Sequence, residues 1–261
     1  MNQTTLSKMK LMALHGMHNA FKTAIETGRT DHYTLDQFIA QLVETEWDDR
    51  QNRKIERNIP NATFRYKASL EKIDYNDDRN LDRNKLLRIA QGDYIHQGQD
   101  LLITGSTGVG KSYLATALGY QACIDGYRVK YYNTTRLLAK LKMAKSDGSY
   151  LKEISKIERQ QLIILDDFGL QAMDNQNRMA FLEIIEDRHG KSSTIITSQL
   201  PVSQWYDIIG EKTIADATMD RLVHHAHRFE LQGESMRKKR GNLTNDFLIE
   251  KSNIFDKQLI Y

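Results

Sequence analysis

One short glycine-rich segment of the chain has the residue types and spacing of a phosphate-binding loop. Gly105-Ser-Thr-Gly-Val-Gly110-Lys111-Ser112 matches the pattern G-x-x-x-x-G-K-[ST] in full. Glycines let the backbone turn tightly with its N–H groups directed inward, and a lysine at this position can reach the β- and γ-phosphates of a nucleotide. Because Mg²⁺ accepts a hydroxyl ligand such as that of Ser112, the segment predicts a site for a magnesium nucleotide.

The sequence on either side of this loop predicts the strand and the helix that such a loop requires. The apolar run Leu101–Thr104 precedes it, and the residues of Tyr113–Asp125 are typical of a helix. A helix that begins at the loop adds the positive end of its dipole to the phosphate site. The residues expected to contact the nucleotide are Gly105, Ser106, Thr107, Gly108, Val109, Gly110, Lys111, Ser112 and Tyr113.

Two adjacent carboxylates follow another apolar run further along the chain. The predicted strand Leu162–Leu165 leads directly into Asp166 and Asp167. Two acids at the carboxyl end of a buried strand are costly unless a cation lies beside them, and a magnesium nucleotide supplies that cation. We therefore expect Asp166 on the metal side, and Asp167 as the group that orients or activates the attacking water.

Two later segments carry further candidate residues. If the predicted strand Thr194–Thr197 lies between the loop strand and the Asp166 strand, Thr197 or Ser198 would lie beside the γ-phosphate. Arg221, on a predicted helix, could reach the nucleotide of a neighbouring subunit as an arginine finger. A surface ion pair is the alternative for Arg221, and the spacing leaves both open.

The alternation of elements from Leu86 onward predicts an α/β fold. Short apolar strands alternate with helical segments such as Leu137–Ala144 and Asn177–His189, which indicates a parallel sheet covered by helices on both faces. The strands are predicted at Leu101–Thr104, Arg128–Asn133, Leu162–Leu165, Thr194–Thr197 and His227–Leu231.

The N-terminal region has a different pattern, which predicts a separate helical domain. One amphipathic helix is expected over about residues 5–27, and a second begins at Thr34, where Gln37 completes a capping box. We expect the second helix to end at Pro60. The predicted domains are a helical one over residues 1–66, an ATPase domain over 67–250 and a C-terminal tail over 251–261.

The region between Arg50 and Lys72 is strongly basic, with seven basic residues and two acidic ones. Basic side chains interleaved with Phe64 and Tyr66 can bind a phosphate backbone and stack on bases, but a solvated helix face has the same composition. A second basic run, Arg237–Arg240, is equally ambiguous. Composition alone therefore leaves DNA contact open.

Length and overall composition restrict the function less than these motifs do. The chain has 261 residues, of which 40% are hydrophobic, enough for one large domain or for an ordinary domain with a smaller one. Its net charge of +3 is too small to indicate nucleic acid by itself, and the single cysteine, Cys123, excludes an internal disulfide. Without an apolar stretch of membrane-spanning length or a signal-peptide pattern, we expect a cytoplasmic protein.

Together these motifs closely resemble the IstB-like ATPases, the transposition helpers encoded beside the transposase in one class of bacterial insertion sequences. This family lies near the DnaC helicase loaders within the AAA+ ATPases. Ser112 stands where many relatives have threonine, which keeps the hydroxyl, and Phe168 where many have tryptophan. The resemblance rests on Gly105–Ser112, Ile164–Gly169, Thr197–Pro201, Asp220–His224 and Gly233–Lys238.

The resemblance implies an AAA+ P-loop ATPase with a parallel five-stranded sheet, preceded by a small helical domain, that uses ATP and Mg²⁺. It implies assembly on duplex DNA with little sequence preference, ATP at the interfaces of a homo-oligomer, and recruitment or stimulation of a transposase. By motif, the implied roles are phosphate and metal binding for Lys111 and Ser112, metal binding for Asp166, water positioning for Asp167, the first sensor for Ser198 and the finger in trans for Arg221. The implied DNA contacts are Arg50, Arg53, Lys54, Arg57, Arg65 and Lys67.

Three other functions remain open from the sequence. A DnaC-like helicase loader would have the same fold and ATPase site with a helicase as its partner. A small-molecule kinase would need an acceptor pocket with its own anion-binding groups, and would need neither Arg221 nor DNA. A nonenzymatic DNA-packaging protein would use the basic stretch alone.

Overall fold

The structure, a computed structural model, describes residues 2–28, 33–75 and 79–236 of the chain. The basic run Arg237–Arg240, the end of the predicted ATPase domain and the tail over 251–261 lie outside the described residues. The contacts divide the chain into two compact units, Met1–Pro60 and Asn61–Tyr261. The sequence placed this boundary after residue 66, whereas in the structure the second unit begins at Asn61, whose carbonyl accepts from Lys130 Nζ at 2.7 Å.

The first unit is helical, as expected, but its helices differ in their bounds from the prediction. In place of one helix over about residues 5–27, the chain forms α1 (Asn2–Leu11) and α2 (His15–Thr27). The break falls at Ala13, whose φ of 56° is left-handed and cannot continue a helix. The buried carboxylate of Glu46 then anchors the start of α2 by accepting from the N–H groups of Gly16 and Met17, at 2.8 and 3.2 Å.

The third helix, α3 (Leu35–Ala62), begins at the predicted capping box. Thr34 N–H donates to Gln37 Oε1 at 3.0 Å, and Gln37 N–H donates to Thr34 Oγ1 at 3.3 Å. The expectation that Pro60 ends this helix is wrong, because Pro60 lies inside its last turn. Proline has no N–H, but this close to the end of the helix its absence removes only one backbone hydrogen bond. The helix stops before Thr63, which has a left-handed φ of 52°.

The second unit is an α/β domain around one parallel five-stranded sheet, so the predicted fold class is confirmed. The strand order is β2-β3-β4-β1-β5, and each neighbouring pair is parallel. All five predicted strands are present, and the largest difference is that β3 continues through both acids to Phe168. Their bounds are β1 Leu101–Gly105, β2 Val129–Asn133, β3 Leu162–Phe168, β4 Ser193–Ser198 and β5 His227–Leu231.

The helices of this unit cover the sheet and bury its central strands. Phe168, at the end of β3, packs between Phe181 and Trp205, with ring centroids 5.1 and 4.7 Å apart. Among the described residues, no helix is both long and apolar enough to cross a membrane. The helices are α4 Arg83–Ala90, α5 Asp93–His96, α6 Lys111–Ile124, α7 Thr134–Asp147, α8 Tyr150–Glu158, α9 Asn175–Arg188, α10 Trp205–Ile209 and α11 Lys212–Val223.

The strand order decides which residues meet at the carboxyl edge of the sheet. Because all strands are parallel, their carboxyl ends share one edge, where ligands of open α/β sheets bind. The glycine-rich loop follows β1, the two acids end β3, and β4 lies between these strands. The condition placed on Thr197 and Ser198 from the sequence is therefore met.

Candidate nucleotide site

The glycine-rich loop connects β1 to the first residue of α6 and encloses the Lys111 ammonium. Lys111 Nζ donates to the carbonyl oxygens of Gly105 and Ser106, at 2.7 and 2.8 Å, and the side chain is buried. Gly108 must be glycine, because its φ of 88° is left-handed and a Cβ would overlap Ser235 Oγ. The loop thus has the compact form that directs N–H groups and a lysine toward a phosphate.

Two chain segments that are distant in sequence hold this loop in place. The buried guanidinium of Arg79 donates to Val109 O at 2.6 Å and also to Asp74 O. After β5, Gln232 N–H donates to Arg79 O at 3.1 Å, and Met236 N–H donates to Gly108 O at 3.0 Å. The sequence carried no signal for this role of Arg79.

The two acids of β3 have opposite environments because the strand bulges between them. The register of β3 against β4 shifts between Leu165 and Phe168, and Asp167 has a left-handed φ of 61°. Asp166 is fully buried and accepts from the hydroxyl groups of Tyr131 and Thr197, the latter at 2.5 Å. Bulges re-aim side chains next to active sites, and here the bulge frees Asp167 to face the loop.

Asp167 faces a cleft of about 450 Å³ and is held there by several polar groups. Its N–H donates to Thr197 Oγ1 at 3.1 Å, and its Oδ2 accepts from Asn133 Nδ2 at 3.2 Å. Burial raises the pKa of Asp167, the neighbouring Asp166 raises it further, and Arg65 and Lys111 act in the opposite direction. A raised pKa makes this carboxylate a stronger base than an ordinary aspartate.

The cleft brings together most of the residues predicted to act on a nucleotide. It is lined by residues of the glycine-rich loop, by the start of α6 and by Asp167, together with Arg65, Tyr66, Leu170 and Gln199. Arg65 was predicted to contact DNA, but its Nη1 lies 3.6 Å from Asp167 Oδ2. Because its sequence neighbours are also basic, composition could not show that Arg65 lines the cleft while the other basic residues of the stretch do not.

The end of β4 presents a different residue to the cleft from the one predicted. Ser198 is fully buried, and its Oγ donates to Phe168 O at 2.8 Å and accepts from Leu200 N–H at 3.1 Å. The adjacent Gln199 lines the cleft, and its Oε1 accepts from Thr107 Oγ1 of the loop at 2.7 Å. A polar residue at the end of this strand was the available signal for Gln199.

Substitutions at Ser198 and Gln199 should separate a structural from a sensing role. We expect Gln199→Ala to lower kcat for ATP hydrolysis roughly 10- to 100-fold, the effect of losing one hydrogen bond to a charged group, with the thermal midpoint unchanged. Ser198→Ala should lower the free energy of unfolding by about 1–3 kcal/mol, since Phe168 O and Leu200 N–H lose their partner. A loss of turnover in Ser198→Ala at unchanged stability would return the sensing role to Ser198.

Arg221 and the predicted DNA contacts other than Arg65 do not line this cleft. Arg221, on α11, donates to Ala217 O at 2.7 Å and pairs with Glu186 at 2.6 Å. It does not line the cleft of its own chain. The predicted DNA contacts Arg50, Arg53, Lys54 and Arg57 are exposed on α3 of the first unit, and Lys67 is exposed beyond it.

The fold and this cleft together define a P-loop ATPase of the AAA+ class. The phosphate loop follows β1, two acids end β3, and polar residues end the strand between them. The fold is similar to that of the solved structure of DnaI, with a TM-score of 0.56 and 26% identity over 64% of this chain and 92% of that chain. The solved DnaC helicase loader has a TM-score of 0.52 and 22% identity over 63% of this chain and 97% of that one.

Sequence comparison identifies the family within this class. The profile of the family described as IstB-like ATP binding protein matches residues 5–244. A protein of Sinorhizobium fredii, provisionally named insertion sequence ATP-binding protein y4pL, is 45% identical over 234 residues, 90% of this chain and 96% of that protein. The chain therefore belongs to the family of IstB-like ATP binding proteins, and it is an ATPase.

Proposed function

We propose that this ATPase assembles on duplex DNA in the cytoplasm, with ATP between its subunits, and recruits or stimulates the transposase of an insertion sequence. The observation that carries the proposal is the cleft in which Lys111, Ser112 and Asp167 converge, in a chain of the IstB-like family. The insertion-sequence setting of the relative y4pL supports the transposase as the partner.

Nucleotide binding begins with the phosphate groups. Lys111 Nζ, which donates to two loop carbonyls, turns to the β- and γ-phosphates of ATP when they enter the loop. The N–H groups of the loop and of the first turn of α6 direct their positive ends at the same phosphates. These groups carry no base recognition, so the affinity comes from the phosphate charge.

The donor chemistry of Asp166 and Ser112 suits a magnesium ion. Asp166 is a fully buried carboxylate that accepts from two neutral hydroxyls, one on each oxygen, and each oxygen has two lone pairs. Asp166 and the hydroxyl of Ser112 would hold the metal, which prefers hard oxygen ligands. When bound, Mg²⁺ neutralises charge on the transferred phosphoryl group.

Hydrolysis then needs a base for the attacking water, and we assign that role to Asp167, which faces the cleft. It accepts the water proton as the water oxygen bonds to the γ-phosphorus and the bond to the β-phosphate oxygen breaks, which gives ADP and phosphate. Asn133 and Thr197 hold the Asp167 side chain and backbone in this position. The raised pKa of Asp167 favours proton acceptance.

The position of Arg221 supports an interface between subunits. Its guanidinium lies outside the cleft of its own chain, on the surface helix α11, and is held by Glu186. An arginine in such a position can complete the nucleotide site of a neighbouring subunit. ATP binding and assembly would then be one linked equilibrium.

Helix α3 supports the DNA contact, and its basic residues are not equivalent. Arg50 pairs with Glu46 at 2.6 Å, and Arg53 pairs with Asp49 at 2.7 Å. Within the described residues, no acidic side chain pairs with Lys54 or Arg57. These two side chains therefore offer the least compensated positive charge on the helix.

Removing these two charges should weaken DNA binding in a salt-dependent way. We expect Lys54→Gln with Arg57→Gln to reduce duplex affinity and to lower the slope of log K against log salt by about 0.9 for each phosphate that the variant no longer neutralises. Fluorescence anisotropy over a salt series, on duplexes of different sequence, measures both quantities. Lys152→Gln, an exposed lysine of α8, is the matched control, and an unchanged slope in the double variant would move the DNA site elsewhere.

Sedimentation with long duplex DNA tests the proposed function as a whole. We expect large DNA-bound species with ATP that persist in Asp167→Asn, which keeps nucleotide while blocking hydrolysis, and that are absent with ADP. A chain that stays monomeric and does not bind DNA with ATP, with ADP or in the Asp167→Asn variant would overturn the proposal.

A helicase loader, the alternative left open by the sequence, is the second candidate, because the fold is also similar to that of the solved DnaC helicase loader. Addition of the transposase and of a replicative helicase to the DNA-bound species separates the two functions. Stimulation of turnover by the transposase alone would support the first, and stimulation by the helicase alone would support the second.

A further inference from the structure

The segment that follows α3 presents a cation to the nucleotide cleft of the same chain. Arg65 lies in this segment, and its Nη1 is 3.6 Å from Asp167 Oδ2, an ion pair longer than a hydrogen bond. The guanidinium also lies 5.3 Å from the centroid of the Tyr66 ring, which lines the same cleft. Its side chain is 53% exposed, so it remains free to change partner within the cleft.

The backbone on which Arg65 lies is fixed to the ATPase unit on both sides. On one side, Lys130 of β2 binds Asn61 O at 2.7 Å, and Ala62 is fully buried. On the other, Ser69 N–H donates to Tyr113 Oη of α6 at 3.4 Å. The segment is therefore anchored beside the start of α6, and only the long side chain of Arg65 needs to move.

Gly119 on α6 permits the close approach of this segment. A Cβ at this position would lie 3.0 Å from Phe64 Cε1 and 2.7 Å from Ile164 Cδ1. Glycine therefore lets the ring of Phe64 lie directly on the helix, one residue before Arg65. This packing fixes the position of the Arg65 backbone, from which its side chain extends.

The charges in the cleft indicate what Arg65 binds when a nucleotide is present. Its partner Asp167 carries one negative charge and lies beside Lys111 and Ser112, where the phosphates of ATP enter. A γ-phosphate brings more negative charge than a carboxylate and three acceptor oxygens, which match the fork of a guanidinium. ADP lacks this group, so the contact is specific for the triphosphate.

We propose that Arg65 binds the γ-phosphate of ATP in its own chain and returns to Asp167 when the nucleotide is ADP or absent. This proposal deepens the proposed function, because it assumes that the cleft is the ATP site. The Arg65 segment directly follows α3 in the chain. The exchange of Arg65 between ATP and Asp167 therefore occurs next to the end of the basic helix. Arg65 is thus a γ-phosphate contact and not the DNA contact that its basic neighbours in sequence suggest.

Equilibrium binding of fluorescent ATPγS and ADP to the full chain, without DNA, tests this directly. We expect Arg65→Gln to weaken ATPγS binding by about tenfold, a value at the low end for a charge-assisted contact because the side chain is half exposed, and to leave ADP binding within about twofold. Arg65→Lys should recover part of the difference. Lys67→Gln, an exposed cation on the same segment, should change neither affinity.

Three outcomes would overturn the proposal. Equal loss of ATPγS and ADP affinity, with a lowered thermal midpoint, would assign Arg65 a purely structural role. Unchanged nucleotide binding together with a lower salt slope for duplex DNA would restore the DNA contact. Unchanged nucleotide binding with an unchanged slope would leave Arg65 with neither role.

A further variant separates failure of this proposal from failure of the ATP site itself. Lys111→Ala should weaken ATPγS binding by about 100-fold or more, whichever group Arg65 contacts. If ATPγS binds Lys111→Ala as tightly as the unmodified chain, the cleft is not the nucleotide site, and the proposed function fails first. If only Arg65→Gln is without effect, the site stands and the γ-phosphate contact by Arg65 is excluded.

Discussion

Replacement of Asp167 by asparagine is expected to lower kcat for ATP hydrolysis by about 10²–10⁴-fold while ATP still binds, because an amide cannot accept the proton of the attacking water. The substitution is mild for the fold. Asparagine tolerates the left-handed φ of 61° and keeps an oxygen to accept from Asn133 Nδ2. Phosphate release at saturating ATP and Mg²⁺, alongside equilibrium binding of ATPγS, measures the two effects separately.

Asp207→Asn is a suitable control for this experiment, since Asp207 is an exposed aspartate on α10 outside the cleft. It should turn over ATP at the rate of the unmodified chain. Loss of a general base should cost far more than a twofold change in kcat. If Asp167→Asn retained kcat within about twofold, the water would have to be activated by another group.

Replacement of Lys111 by alanine should weaken ATP binding by about 100-fold or more, the second large effect that the site predicts. The ammonium supplies at least two charge-assisted hydrogen bonds to phosphate oxygens, each worth about 1.5–3 kcal/mol. Titration with fluorescent nucleotide gives the affinity. Because Lys111 also bonds to Gly105 O and Ser106 O and is buried, the thermal midpoint must be recorded with it.

Lys152→Ala removes an exposed lysine from a different helix and should leave nucleotide affinity unchanged. An affinity in Lys111→Ala close to that of the unmodified chain would show that the glycine-rich loop does not carry the phosphates. A lower thermal midpoint with retained affinity would assign Lys111 to loop stability.

The sheet, and the meeting of Asp167 with the loop, could be predicted from the sequence because both depend on local patterns. Each strand is a short apolar run with distinct ends, and the loop motif fixes the position of β1. Parallel strands share a carboxyl edge, which is sufficient to bring Asp167 into one cleft with Lys111 and Ser112. Asp166 ends the same strand but is buried and does not line the cleft. The predicted ends differed most at β3, where the bulge that turns Asp167 has no local sequence signal.

The residues that sequence reasoning missed depend on contacts between distant segments. Arg65 and Lys67 share one basic stretch, yet Arg65 lines the cleft, since Phe64 packs on Gly119 of α6. Arg79 binds the loop through Val109 O, and the chain after β5 in turn binds Arg79 O. Ser198 and Gln199 are adjacent polar residues, and which of them faces the cleft depends on the hydrogen bond of Ser198 to Phe168 O. Tertiary packing therefore determines which of these residues line the cleft, and a local sequence pattern cannot show it.

The bonds that brace the glycine-rich loop also bear on the order in which the protein is completed during synthesis. β1 is an interior strand, and it pairs with β4 and β5, both made long after it. The Gly108 and Arg79 carbonyls receive their donors from Met236 and Gln232, beyond the last strand. Contacts of such long sequence separation form late in folding. A nascent chain that ends after β4 therefore carries the whole phosphate motif but lacks these donors. We expect ATP affinity to appear only when synthesis has continued past β5 and the residues after it have left the ribosome.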